Sequence, residues 1–388
     1  MKTDANFDVL VIGAGPAGSA TAGAIAKYGG RVAMLERDAS PGQRNVCGGG
    51  IEGADFEVLE LPEALIQKRV TRREHHFPWG VTVVDLPHVT TLRRELDRWL
   101  AEQAVAAGAE LFTRAQVRAV DREANRQIAV RAVDLTDHIE RLYHARMVIF
   151  ADGPNTLAPR SSNLGFVRTP TTAAVGLIYE LDWPATPIDH YEIHFGPQLS
   201  PWGYLWLFPK RDLLNIGITM LPSKGQATRH LEERLQAFIE SRPELRERRV
   251  LRRAGAHIPV VPAARVYDDA MLAVGDAAGM VDALTEGGIA NAVLSGRLAA
   301  QATCEALAAG DFSAAFLSRY QRRWEATDRC RMVRFQSRLT RLLLPLSRLD
   351  ENVYAKLMQI LFMGGSMTRG QKARLLAYPL IRPPVTQR

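Results

Sequence analysis

Cysteine is scarce in this chain. Three residues among 388, Cys47, Cys304 and Cys330, are too scattered for a disulfide framework or a zinc site. None belongs to a C-x-x-C pair, which argues against a dithiol-disulfide reductase. Long apolar runs are missing as well: no stretch approaches the roughly 18 residues that a bilayer-spanning helix requires. Residues 1–6, ahead of the first apolar run, are short and polar, so the sequence reads as lacking a secretory leader and as cytoplasmic or resting on a membrane face. No Lys/Arg block carries interleaved aromatics, and nucleic acid is not an expected partner. Metal ligands are sparse. His75 and His76 are adjacent and diverge on any regular element, while His190 and His194 share a strand face without a Cys or carboxylate at ligand spacing; no metal is assigned. Internal repeats are absent. What remains, 47% hydrophobic and 23% charged, is an ordinary globular composition long enough for two or three domains of about 150 residues. The formal charge of +7 favours anionic partners such as phosphates, acidic proteins or anionic lipid surfaces.

What the chain does have is glycine in patterns. Residues 7–37 read FDVLVIGAGPAGSATAGAIAKYGGRVAMLER, an apolar strand followed by Gly13, Gly15 and Gly18 in G-x-G-x-x-G spacing and then an Ala-rich helix. Gly13 permits the turn, Gly15 lets the backbone approach a pyrophosphate, and Gly18 lets helix and strand pack closely. Free amides at the helix start face the phosphates. A second strand ends at Glu36, about 20 residues on, where a carboxylate accepts hydrogen bonds from a ribose.

The segment after Glu36, SPGQRNVCGGGIEG, is too rich in glycine for regular structure and reads as a loop beside the cofactor. Residues 91–108 place Leu92, Leu96, Trp99 and Leu100 at helical spacing, with Gly108 as a cap. Strands are expected at 117–120, 128–133 and 145–150, the last leading into Asp152-Gly153. Residues 172–183, 191–195, 204–208 and 213–219 alternate as an antiparallel sheet would, and 231–239 reads as a helix. A strand at 270–274 then brings Gly275-Asp276-Ala277-Ala278-Gly279 and a long helix starting near Gly287. The predicted fold is α/β with an α+β insert. A Rossmann-like domain spans 1–165 and 251–310, with 37–90 as its loop region. An antiparallel-sheet substrate domain occupies 166–250, and 311–388 forms a helical C-terminal region.

The second glycine cluster separates two kinds of cofactor. A nicotinamide enzyme needs one phosphate turn, whereas FAD is long and must be held at both ends. Asp276 ends a strand and can accept from the ribityl hydroxyls, and the helix begun by Gly287, Gly288 and Ile289 points its positive end at the flavin N1/C2 carbonyl edge.

The set GAGPAG, Glu36, Arg93-x-x-Leu96-Asp97, Asp152-Gly153 and GDAAGMVDALTEGGI resembles flavoproteins of the p-hydroxybenzoate hydroxylase fold over residues 7 to about 300. By matching positions, the resemblance makes Ala17, Glu36, Arg93, Val117, Asp152, Asp276, Gly288 and Ile289 contacts of FAD; Arg37, Gly153 and Gly287 flank them. Two further motifs are similar to the geranylgeranyl reductase family: Cys47-Gly48-Gly49-Gly50, like its C-x-G-G/C-G-x-G loop, and Tyr204-x-Trp206-x-Phe208-Pro209, like its Y-x-W-x-F-P strand. Three positions depart from the pattern: Ala283 stands where proline is expected, Glu286 replaces a glycine, and Thr219 replaces the second glycine of a G-x-G.

On a strand Tyr204, Trp206 and Phe208 face one way, a surface suited either to core packing or to a prenyl chain; the resemblance selects the latter. The glycines after Cys47 indicate something flat, or a backbone, passing close, so Cys47, Gly48 and Gly50 are expected at the flavin or substrate. The resemblance implies an FAD-dependent reductase that hydrogenates C=C bonds of a polyprenyl, geranylgeranyl-type chain on a lipid, quinone, chlorophyll precursor or diphosphate. Cys47, Tyr204 and Trp206 are its candidate catalytic residues, with Tyr204, Cys47 or water as proton donor. NAD(P)H or an acidic ferredoxin would supply electrons. The alternatives are an FAD-dependent monooxygenase or halogenase of the same fold, and a prenyl-lipid binding protein with structural FAD. Basic residues among Leu, Met and Phe in the C-terminal region, including Arg334, Arg338 and Arg341, suit either a helical cap packed on the core or peripheral contact with an anionic membrane.

Overall fold

The computed structural model describes residues 2–124, 126–222, 229–363 and 368–377. Its first sheet holds eight strands, with the main path Tyr267–Asp268, Met271–Ala273, Glu140–Phe150, Lys2–Ile12, Val32–Leu35 and Glu110–Phe112. The last five of these run parallel. Ala115–Arg122 and Ile128–Asp134 form an antiparallel hairpin that joins at Glu140–Phe150. Val9, Leu10 and Val11 are all fully buried, which is why the opening strand is continuously apolar rather than alternating. Its ladder starts at Lys2, earlier than the apolar run, because polar residues pair as far as Arg141 on the neighbouring strand. Helices Pro16–Lys27 and Ile289–Ala309 cover the sheet together. A Cβ on Gly296 would lie 2.5 Å from the Ala17 carbonyl, so that glycine sets how closely the two helices approach.

The second sheet runs Val250–Pro259, Ala173–Asp182, Leu213–Met220, Ser200–Pro209, Tyr191–Gly196, Lys68–Phe77, Gly80–Thr90, Gly50–Glu52. This differs from the expected division in two ways. Residues 50–90 supply three strands to this sheet instead of forming a loop region of the first domain, and Val250–Pro259 is its edge strand. The sheet is also mixed, because Tyr191–Gly196 pairs parallel to Lys68–Phe77. The sequence KRVTRREHHF carries little apolar signal for a strand, and only long-range pairing makes it one.

Helices Ala314–Glu325 and Asp328–Leu343 open the C-terminal region, capped by Ser313 accepting from the Phe316 amide and Thr327 from the Cys330 amide. Val353–Met363 and Arg369–Ala377 follow; residues 364–367 and 378–388 of the expected region lie outside the described residues. Tyr354 donates to the Leu284 carbonyl (2.7 Å) and Trp79 to Gln359 (2.8 Å), which fastens this region to the second sheet and to the loop before Ile289. None of the described helices is long and apolar enough to cross a membrane.

Candidate dinucleotide site and the aromatic strand beside it

The three opening glycines meet different surroundings. Gly13 has φ of +95°, and a Cβ there would sit 2.5 Å from the Ala151 carbonyl; one on Gly18 would sit 2.0 Å from the Gly13 carbonyl. Beside Gly15 no atom lies within 4 Å of that position, leaving an open approach to the start of the helix. Glu36 accepts from the Ala14 amide through Oε2 and from the Asp38 amide through Oε1, both at 2.9 Å. It therefore ties the glycine turn to the end of the second strand, and burial raises its pKa against the pull of those two amides. Arg37 is exposed, its Nε 3.9 Å from Asp38. The strand bearing Val117 is tied to this corner by the Ala115 amide, which donates to the Glu36 carbonyl at 2.8 Å.

Further along, Asp152 accepts from the Leu157 amide (2.7 Å) through Oδ2, while Oδ1 is buried with no hydrogen-bond partner among the described residues. Burial pushes its pKa up to about 6. Gly153 (φ +74°) faces open space. A Cβ on Gly275 would lie 2.9 Å from the Ala17 side chain, which brings the two glycine clusters against each other. Burial raises the Asp276 pKa, and the nearby Arg93 guanidinium works against that rise. Helix Ile289–Ala309 begins at Gly288 without a side-chain cap, so its first amides remain for a ligand, and a Cβ on Gly288 would lie 3.6 Å from Asp276 Oδ1. Open backbone at Gly15 and Gly153, an orphaned acceptor at Asp152 and an uncapped helix start fit FAD; Glu36 would hold the adenosine, Gly13 to Ala17 the pyrophosphate, Asp152 and Asp276 the ribityl chain, and Gly287 to Ile289 the flavin.

The Cys47 loop lies between this cradle and the second sheet. Arg93 forks onto Asp97 (2.8 and 2.9 Å), and Asn45 donates to the same carboxylate (3.2 Å). The half-buried Cys47 sulfur accepts from the Gly49 amide (3.2 Å) and lies near the Arg93 guanidinium. A Cβ on Gly48 would lie 2.6 Å from the Phe208 ring and 2.8 Å from the Trp206 nitrogen; one on Gly50 would lie 3.1 Å from Phe208. The flat object passing the glycines is therefore the aromatic strand itself. Tyr204, Trp206 and Phe208 form a continuous row, with centroids 5.9 and 6.1 Å apart. Their polar ends are committed: Tyr204 donates to the Thr285 carbonyl (2.7 Å) and Trp206 to Asn215 Oδ1 (2.8 Å). The Tyr204 phenol is held well above its ordinary pKa by burial. Tyr204 and Phe208 also pack against a hydrophobic cluster that includes Tyr354, Ala355 and Met358 of helix Val353–Met363, so this end of the row borders the C-terminal region.

Sequence reasoning missed Lys210 and Asn215. Lys210 is 1% exposed and donates to the Gly48 carbonyl; Asn215 receives Trp206 and donates to the Cys47 carbonyl (3.3 Å). One sign was available for Lys210, a cation directly after the aromatic strand and ahead of Arg211. The expectation that the histidines lack carboxylates at ligand spacing is corrected by the parallel pairing. It stacks His76 on His194 (centroids 4.2 Å apart) with Glu192 2.9 Å from His194 and 4.0 Å from His76. Glu192 and His194 share one strand two residues apart, His76 comes from a strand far away in sequence, and Arg242 is already paired with Glu192 at 3.0 Å.

Residues 6–293 match a family model described as FAD binding domain. The chain is 34% identical to digeranylgeranylglycerophospholipid reductase 1 of Methanopyrus kandleri, over 82% of this chain and 86% of that one. It is 31% identical to a digeranylgeranylglycerophospholipid reductase of Methanoculleus marisnigri, over 83% and 82%. Among solved structures, a geranylgeranyl bacteriochlorophyll reductase-like protein of Thermoplasma acidophilum superposes with a TM-score of 0.82 at 25% identity, covering 96% of both chains. A myxobacterial chondrochloren halogenase reaches 0.66 at 21% identity over 83% and 80%, a likeness of fold alone.

Proposed function

The chain belongs to the FAD binding domain family and, within it, to the family of the digeranylgeranylglycerophospholipid reductases, and from that premise we propose that it hydrogenates carbon-carbon double bonds of geranylgeranyl chains carried on a polar head group. The observation that carries this reading is the contact of the Cys47 loop with the Trp206 and Phe208 rings, directly beside the FAD cradle. Bound FAD, once reduced, supplies a hydride. The aromatic wall would seat the prenyl chain, exclude water and stabilise developing positive charge on an alkene carbon through its ring faces. Because the Tyr204 hydroxyl is already donating to Thr285, that residue serves better as wall than as acid.

NAD(P)H or an acidic ferredoxin drawn by the net positive charge would supply the electrons. Peripheral membrane contact is supported by helix Asp328–Leu343 and the turn after it. Met332, Phe335, Leu342 and Leu349 are exposed there beside the exposed Arg338, Arg341 and Arg348, while Arg334 is committed to Glu325.

The deciding experiment is anaerobic. Protein carrying reduced FAD is mixed with a geranylgeranyl lipid, and the lipid is weighed by mass spectrometry. A gain of two hydrogens for each reduced bond supports the reductase. Product that forms only with oxygen uptake replaces it with the monooxygenase or halogenase alternative, and flavin that never reoxidises with lipid leaves a binding protein.

A further inference from the structure

Two of the positions that depart from the family's glycines, Thr219 and Glu286, meet in the fold. Glu286 lies in the turn before Gly287 and Gly288, at φ +57°, a conformation that glycine adopts freely and that is costly for a residue with a side chain. Its amide donates to the Asp282 carbonyl (2.8 Å), closing the turn. Although the residue as a whole is half-exposed, Oε2 is buried with no hydrogen-bond partner among the described residues. The Thr219 hydroxyl, 3.5 Å from the Tyr204 carbonyl, is the polar group beside the carboxyl, and no cation acts on it among the described residues.

The surroundings of Glu286 are otherwise phenols. Tyr204 faces it from the aromatic strand and Tyr354 from helix Val353–Met363, each with its hydroxyl donated to a backbone carbonyl. Asp282 shares the loop, but its carboxyl is directed to Asn291 and Arg329. A carboxyl buried without a cation keeps its proton, and burial pushes this one up to about 8. It stands between the start of the flavin-side helix and the aromatic wall.

We propose that Glu286 is the acid that completes the hydrogenation, giving its proton to the alkene carbon that does not receive the hydride. This rests on the reductase reading above. The alkene π pair forms the new C–H bond with the Oε2 proton, and the hydride pair from reduced flavin forms the C–H bond at the other carbon. The remaining carboxylate regains a proton from water through the half-exposed turn.

The test uses FAD-loaded wild type, Glu286→Gln and Glu286→Gly, the last suited to the left-handed backbone, with geranylgeranyl diphosphate as probe under anaerobic conditions. Wild-type reoxidation should fall about tenfold per pH unit above about 8 as the proton is lost. Both variants should bind FAD normally, react on the order of 100-fold more slowly and lack that limb. Independently of turnover, the infrared spectrum of wild type at pH 7 should contain a protonated-carboxyl band that titrates near 8 and is missing from Glu286→Gln. Variants that keep the wild-type rate and pH limb, or a wild type without the band, overturn the proposal while leaving the reductase reading intact. A wild type inert toward prenyl substrates overturns that reading and proton delivery together.

Discussion

Lys210 Nζ lies 2.6 Å from the carbonyl oxygen of Gly48, a contact that spans 162 residues of sequence and joins the end of the aromatic strand to the glycine loop. Asn215 makes the parallel connection, from Trp206 to the Cys47 carbonyl. The two motifs that point to a prenyl reductase thus form one physical unit.

Burial pushes the Lys210 pKa down to about 7, with Cys47 and Glu180 opposing the fall. Between pH 10.5 and about 7 the unfolded chain then binds a proton that the folded protein does not. Stability should drop by about 1.4 kcal/mol per unit as pH falls through that window and level off below it. Urea unfolding of wild type and Lys210→Met from pH 7.5 to 9.5 should show this slope in the wild type and lose it in the variant; equal slopes would show that Lys210 is charged in the fold.

Gly48→Ala should damage the loop despite the small change. The added methyl collides with the Phe208 and Trp206 rings, which are held by their own contacts, so the loop must lift. A loss of about 1–3 kcal/mol in stability is expected, with a larger fall in turnover than in FAD affinity. Normal turnover would show that the loop tolerates displacement.

Asp152 provides a pH signature for cofactor binding. With its pKa near 6 and one oxygen unpartnered, it should ionise more readily once a ribityl hydroxyl donates to it. FAD binding should therefore release protons near pH 6, and affinity should rise from pH 5 to pH 7. Calorimetry in two buffers of different ionisation enthalpy measures the release, which Asp152→Asn should abolish.

His75 is fully buried, has no hydrogen-bond partner on either ring nitrogen among the described residues and lies 4.5 Å from the Phe362 ring, centroid to centroid. Burial, followed by the Arg73 charge, pushes its pKa down to about 3. From pH 6.5 downward the unfolded chain gains a proton that the folded one refuses, so stability falls by about 1.4 kcal/mol per unit until about pH 3. His75→Phe should be more stable at pH 7 by about 1 kcal/mol and increasingly so at pH 5. A wild type and variant that lose stability in parallel on acidification would refute this.

Charge reversal of Arg338, Arg341 and Arg348 should reduce co-sedimentation with anionic liposomes at low salt while bound FAD is retained. Each exposed cation near an anionic leaflet is worth about 1 kcal/mol, and the attraction is screened within a Debye length. Phe335→Ser should weaken binding even at high salt, because its contribution is apolar. Wild type that ignores anionic vesicles would remove the membrane from the account.

The sequence alone made the glycine turns and the helices they open legible, because these are built from local signals. Gly13, Gly15, Gly18, Glu36 and the run from Asp276 to Ile289 take their roles from strand-turn-helix geometry within a few residues, and backbone sterics make glycine at such turns legible. The Cys47 loop and the aromatic strand were legible as two motifs. Only the tertiary structure decided that they touch each other, and that Lys210 and Asn215 fasten them. It also decided that the polar strand Lys68–Phe77 joins the second sheet, and that His76, Glu192 and His194 come together on it. Glu286 shows the difference most plainly: its departure from glycine was visible in the chain, but its burial without a cation was not. Burial and the partners of a charged group are set by residues far away in sequence, and no local pattern encodes them.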